Sequence, residues 1–213
     1  MVFEVFERLT KDKKETILNA GIKEFSTYSY RDANTDRITT TCGISKGLLY
    51  HYFGTKKNFY IYCIRYAMDT LTAYETPVQE RNFYDILFTE MEQKILLCIN
   101  HPAETKFINL VSRESAKEVV KEKNELLGHY AIQMKQRSQG IFTVAMDTLN
   151  LKEPRQKAIE ALHIYSNAVI NRYMMQYQNS PDDFFEKQDE IKIEIKQYLD
   201  MMLYGICIKE NKK

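Results

Sequence analysis

Twenty consecutive residues, Asn34-Thr35-Asp36-Arg37-Ile38-Thr39-Thr40-Thr41-Cys42-Gly43-Ile44-Ser45-Lys46-Gly47-Leu48-Leu49-Tyr50-His51-Tyr52-Phe53, constrain this chain more than any other part of it. Asn34 is suited to cap a helix, and Asp36 suits the positive end of its dipole. Ile38 and Cys42 lie four apart and share an inward face. Gly43 supplies the positive φ that a sharp exit from a helix demands, and Ile44 plugs the turn. Ser45 caps a second helix, on which Leu48, Leu49 and Tyr52 continue an apolar face. The spacing therefore predicts a helix-turn-helix, whose second helix enters a DNA major groove. The face left over carries Lys46, Gly47, Tyr50 and His51, which are small, basic or hydrogen-bonding. A helix pair serving only to pack has no use for such a face.

Charge is distributed unevenly. Residues 1–66 hold 11 Lys or Arg against 7 Asp or Glu, so they carry +4 of a chain whose formal net charge is +1, and the remainder carries −3. A basic head on a mildly acidic body suits a polyanion-binding head and a body with another task. Cys42, Cys63, Cys98 and Cys207 show no CxxC spacing and stand in apolar helical contexts, which reads as reduced core thiols. No apolar run approaches the ~20 residues that span a bilayer, and no signal segment opens the chain, so a cytoplasmic protein is expected.

Seven Gly and four Pro serve 213 residues, and helix-period patterns dominate. The chain reads as all-α: an N-terminal three-helix head with the helix-turn-helix, then a C-terminal helical bundle. A lead-in turn is expected over Phe3–Leu9, a helix over Lys11–Phe25 and a loop over Ser26–Ala33. Thr55 caps a long helix from Lys56 to Tyr74, packed on more than one side. Further helices are expected over Phe83–Asn100 and Pro102–Val111. Ser115–Leu149 is expected to be helical, continuous or broken near Gly128 and Gly140. Two last helices follow over 155–178 and Asp182–Lys209. The expected division is a DNA-binding domain of residues 1–55 and an effector-binding and dimerisation domain of residues 56–213.

Residues 14–25, 35–38 and 42–57 together resemble the DNA-binding head of the TetR family of bacterial one-component repressors. The ordered pattern is Gly43-Ile44-Ser45-Lys46-Gly47, Tyr50, Tyr52-Phe53 and Lys56. It covers about the first 65 residues, and the body matches that family only in length and helical character. Two positions depart from the family. Ser29 stands where Gly is usual, which a loop without positive φ accommodates. Thr39 stands where a small Ala is usual at the crossing of the motif helices.

The resemblance implies that the helix at Ser45–Tyr52 enters the major groove of a palindromic double-stranded operator. Lys46 would reach a base edge or phosphate, and Gly47 would allow close backbone approach. Tyr50 would bond a phosphate, with His51 on the same surface. Lys56 would meet a phosphate at a helix N-terminus. Ser45, Arg37, Thr40 and Thr41 complete the expected DNA-facing set. Tyr52 and Phe53 are read as core.

The resemblance also implies a homodimer formed by the last two helices. Ile164, Ala168, Val169 and Tyr173, with Ile195, Tyr198, Leu199 and Met202, are the candidate interface; an intrachain core would produce the same stripes. It further implies a small-molecule effector, apolar or aromatic to judge from the candidate lining Tyr62, Tyr66, Phe88, Met91, Phe107, His129, Met134, Phe142 and Tyr165. His163, Asn167 and Asn171 recur every four residues and suit a pocket, a hydrated seam or solvent.

Other classes find less support. The histidines show no HExxH pattern, and there is no Gly-rich phosphate loop or nucleophile elbow, so neither a metal, a cofactor nor catalysis is signalled. A DNA-binding architectural protein without an effector is the alternative, and it predicts steep salt dependence with little sequence preference.

Overall fold

The computed structural model describes residues 3–74, 82–150, 154–177, 180, 183 and 186–204. All of its regular structure is α-helical. The helices are α1 (Glu4–Glu7), α2 (Lys11–Phe25), α3 (Thr35–Cys42), α4 (Lys46–Phe53) and α5 (Lys56–Thr72). They continue with α6 (Phe83–Asn100), α7 (Pro102–Arg113), α8 (Val120–Asp147), α9 (Arg155–Tyr177) and α10 (Gln188–Tyr204). Pro102 opens α7 at its first position, where its missing N–H costs nothing. α8 runs unbroken through Gly128 and Gly140, both of which keep ordinary helical φ. Cys207 and the expected end of the last helix lie outside the described residues.

The described residues form two compact units, one within Met1–Tyr74 and Asn100–Met134, the other within Glu75–Ile99 and Lys135–Lys213. The sequence places the boundary at residue 55, whereas packing groups α5 and α7 with the head.

The first unit is built on aromatic packing. Phe53 touches Phe6 and Phe59 with ring centroids 4.6 and 4.7 Å apart, and all three rings are fully buried. Phe25 packs edge-on against Tyr60 at 4.8 Å and lies 6.2 Å from Phe107. Offset and edge contacts of this kind add to the gain from area burial. Gly21 lets α2 press on α5, because a Cβ there would meet Phe59 Cζ at 2.5 Å and Cys63 Sγ at 2.9 Å. Cys63 is fully buried, and burial pushes its thiol well above the ordinary range, as a reduced core residue requires.

The second unit has a more aliphatic core of Ile86, Leu87, Met91, Ile95, Leu162, Ile191, Ile195 and Leu199, with Phe83 and Phe142. α9 packs against α10 there. Lys192 pairs with Glu92, and Tyr84 donates to Asp200, tying α6 to α10. No helix among the described residues is long and apolar enough to cross a membrane.

Candidate nucleic-acid interface

Local chemistry sets the helix-turn-helix. Asn34 Oδ1 accepts the Asp36 N–H at 2.7 Å, which starts α3. Gly43 has φ 67° and ψ 32°, and the Ile44 N–H reaches the Thr39 carbonyl at 3.1 Å across the turn. Ser45 Oγ accepts the Leu48 N–H at 3.1 Å, and Thr55 Oγ1 accepts the Asn58 N–H at 3.0 Å, so α4 and α5 each start on a side-chain cap. Ile38, Leu49, Tyr52 and Phe53 are buried beneath the pair, as their spacing predicts. Thr39 is buried at the crossing, and its hydroxyl is absorbed by the Asp36 carbonyl at 3.1 Å. Ser29 stands in a loop with no positive φ, and its hydroxyl donates to Asp32 Oδ2 at 2.6 Å.

On the outer face, Ser45, Lys46, Gly47 and His51 are exposed, and Tyr50 is half-buried. Lys46 Nζ lies 3.0 Å from Asp36 Oδ2, an exposed ion pair that water or a phosphate can replace. Tyr50 Oη is 3.4 Å from Thr35 Oγ1, which holds the phenol at the helix crossing. A Cβ on Gly47 would find only Ser45 Oγ, at 3.9 Å, within 4 Å. Nothing inside the protein requires glycine there, and a glycine within a helix costs about 0.5–1 kcal/mol relative to alanine.

Lys56 and Arg37 are more engaged than their positions in the sequence suggest. Lys56 Nζ donates to the Arg31 carbonyl at 3.1 Å and lies 5.0 Å from the Tyr30 ring centroid. Burial lowers its pKa, against the pull of Asp32 and Glu24. Arg37 grips Glu24 through Nε at 2.9 Å, donates to the Asp32 carbonyl at 3.2 Å and covers Tyr28 at 4.1 Å. Glu24 is 9% exposed and also accepts the Asn34 N–H at 2.7 Å. Burial alone would raise the Glu24 pKa, but Arg37 and that N–H outweigh it and hold the carboxyl below its usual range. This pair locks α2 to the start of α3, which gives Arg37 an internal task. Thr40 and Thr41 are exposed beside it and line an open groove with Lys23, Thr27 and Tyr28. Lys23, Thr27 and Tyr28 carried no sequence signal, because only the fold brings the end of α2 alongside α3.

The expected effector residues divide between the two units. Phe107 is fully buried against Phe25 and Tyr60, and Tyr62 bonds Glu7. Tyr66 and Met134 pack on the edge of the same core, while His129 is exposed and lies 2.9 Å from Gln133 Nε2. Phe88, Met91, Phe142 and Tyr165 belong to the core of the second unit. His163 bonds Asn167 at 3.0 Å and packs on Phe142, and Asn171 is exposed.

The expected interface residues separate as well. Tyr173, Ile195 and Leu199 are buried within the chain, and Val169 is half-buried. Ile164, Ala168 and Met202 are exposed, and Tyr198 is half-buried beneath an Arg172 Nη1–H donated at 3.2 Å.

The family described as "Bacterial regulatory proteins, tetR family" matches residues 17–63, from α2 to the middle of α5. No curated relative matches the chain. Among solved structures, a TetR-family transcriptional regulator from Chloroflexus aurantiacus is 17% identical over 93% of this chain and 95% of its own, with a TM-score of 0.55. A transcriptional regulator from Rhodococcus sp. is 15% identical over 92% and 98%, with a TM-score of 0.61. NalD of Pseudomonas aeruginosa, the secondary repressor of the MexAB-OprM multidrug efflux pump, is 15% identical over 94% and 98%, with a TM-score of 0.51.

Proposed function

We propose, from a chain whose head belongs to the TetR family of bacterial regulatory proteins and whose fold is that of TetR-family regulators, that this is a dimeric, sequence-specific transcriptional repressor released by a small ligand. The exposed face of α4 carries this reading. Gly47 has open space above it and no internal reason to be glycine, and Lys46, Tyr50 and His51 surround it. A surface of that kind suits close approach to a duplex, with base contacts specifying and phosphate contacts positioning. Lys46 and His51 are assigned to the groove. Tyr50 and Lys56 are assigned to phosphates, with Thr40, Thr41 and the Ser45 cap beside them. Arg37 acts from behind by fixing α3 on α2.

A two-fold dimer doubles the contacts and calls for a palindromic operator. Ile164 and Ala168 on α9, with Ile193 and Met202 on α10, present apolar side chains to solvent and are the proposed seam. The effector is proposed to sit in the second unit, near Phe88 and Tyr165, whose rings are only half-buried. Ser166 Oγ, on α9 of the same unit, is fully buried with no hydrogen-bond partner among the described residues, which suits a mainly apolar ligand with one polar group.

Fluorescence anisotropy on the DNA upstream of the protein's own gene, beside an unrelated duplex at near-physiological salt, tests the reading. Much tighter binding to the upstream DNA is expected. Equal weak binding there and no preferred sequence in a random-duplex selection would leave the architectural alternative instead.

A further inference from the structure

Between α7 and the first turn of α8, three carboxylates stand at four-residue spacing, and each holds a different part of the head. Glu114 Oε2 accepts the Tyr30 N–H at 2.8 Å, while its Oε1 accepts the Ala116 N–H at 2.8 Å. Glu118 accepts from Arg31 through Nε at 3.2 Å and Nη2 at 3.1 Å. Glu122 accepts from Lys57 Nζ at 2.6 Å. The buried Lys123 steadies the connection by donating to the Glu114 carbonyl at 2.7 Å.

These contacts converge on Lys56. Its ammonium rests on the Arg31 carbonyl and over the Tyr30 ring, and Arg31 and Tyr30 are the residues that Glu118 and Glu114 hold. Arg31 and Glu118 are both exposed, and an exposed ion pair contributes at most about 1 kcal/mol to stability. What a forked guanidinium–carboxylate contact does supply is a fixed orientation.

We infer that Glu114, Glu118 and Glu122 are positioning residues for DNA binding: they hold the loop at Tyr30–Arg31 and the start of α5 so that Lys56 is presented to the duplex in one arrangement. This rests on the DNA-binding reading above.

The test is operator affinity by anisotropy at fixed salt, on a duplex that the wild-type protein selects from a random pool. Glu118→Arg adds positive charge, so without the clamp it should tighten binding to any duplex. With the clamp it repels Arg31 and weakens operator binding by about fivefold, the equivalent of one surface pair. Arg31→Glu weakens it as well, and the double variant Arg31→Glu/Glu118→Arg recovers most of the loss by restoring the pair in reverse. Both positions are exposed, and unchanged thermal unfolding of each variant separates mispositioning from misfolding. Tighter or unchanged operator binding by Glu118→Arg overturns the clamp. So does a double variant no better than Arg31→Glu, because Arg31 would then act by touching DNA itself. If the wild-type protein selects no sequence at all, the sequence-specific reading fails and the clamp on operator binding fails with it; if it does select one and Glu118→Arg matches it, only the clamp fails.

Discussion

The head and the last helix pair treat apolar side chains in opposite ways. Across α1–α5 the aromatic residues close on one another, and the exposed large apolar side chains are Val5 and Tyr28, the latter lying under Arg37. On α9 and α10, Ile164 is 71% exposed, Met175 69%, Ile193 60% and Tyr204 78%. Both regions are helical. The head completes its burial within the chain, and its spare surface is polar. The helix pair buries Ile191, Ile195 and Leu199 inward and still leaves apolar surface facing water, which is the seam proposed above.

The largest test of that contrast is a cavity in the head. Phe53→Ala removes a fully buried ring that touches Phe6 and Phe59, and is expected to cost about 4 kcal/mol in denaturant unfolding of the first unit. A loss below about 1 kcal/mol would mean that the aromatic cluster is not what closes the head.

Next in size is Glu24→Gln, expected to cost about 2 kcal/mol near neutral pH by removing the charged partner of Arg37. The Glu24 pKa is lowered on folding, so its contribution is present above the usual carboxylate pKa and is lost as pH falls through the lowered value. The wild type should therefore lose its advantage over the variant in acid, below about pH 4. A difference between the two that does not change with pH would break the assignment.

On the other side of the comparison, Ile164→Lys should weaken self-association about tenfold or more, while thermal unfolding stays nearly unchanged at dilutions where the wild type is monomeric. Sedimentation velocity across a dilution series reads it, and an unaltered association state would move the seam elsewhere. The smallest effect is at Gly47. Gly47→Ala is expected to raise stability by about 0.5–1 kcal/mol, since a Cβ there meets nothing closer than 3.9 Å, while operator binding falls. Improved stability with unchanged DNA affinity would remove Gly47 from the interface.

Much of the head was legible because its determinants are local. Asn34, Ser45 and Thr55 each cap a backbone N–H two or three residues ahead, and Gly43 needs only its own φ, so a single stretch of sequence contains both partners of each interaction. The open space at Gly47 is a finding of the structure, and its assignment to DNA rests on the resemblance. The task of Arg37 was not: Glu24 lies thirteen residues away on another helix, and an exposed arginine beside a DNA-reading turn reads equally well as a phosphate contact.

Sequence alone therefore determined the helical class, the helix-turn-helix with its caps, and which side of α4 faces outward, because a 3.6-residue period and the chemistry of helix ends are properties of neighbours along the chain. Tertiary structure alone decided which apolar residues complete a core and which remain exposed. Ile195 and Leu199 share a stripe with Met202 yet are buried while Met202 is exposed, and the aromatic residues expected around one ligand divide between two cores. A stripe records that a helix face avoids water. What covers that face is set by contacts between residues far apart in the chain, as with Glu114 and Glu118, which hold the loop before α3, and Glu122, which holds the start of α5.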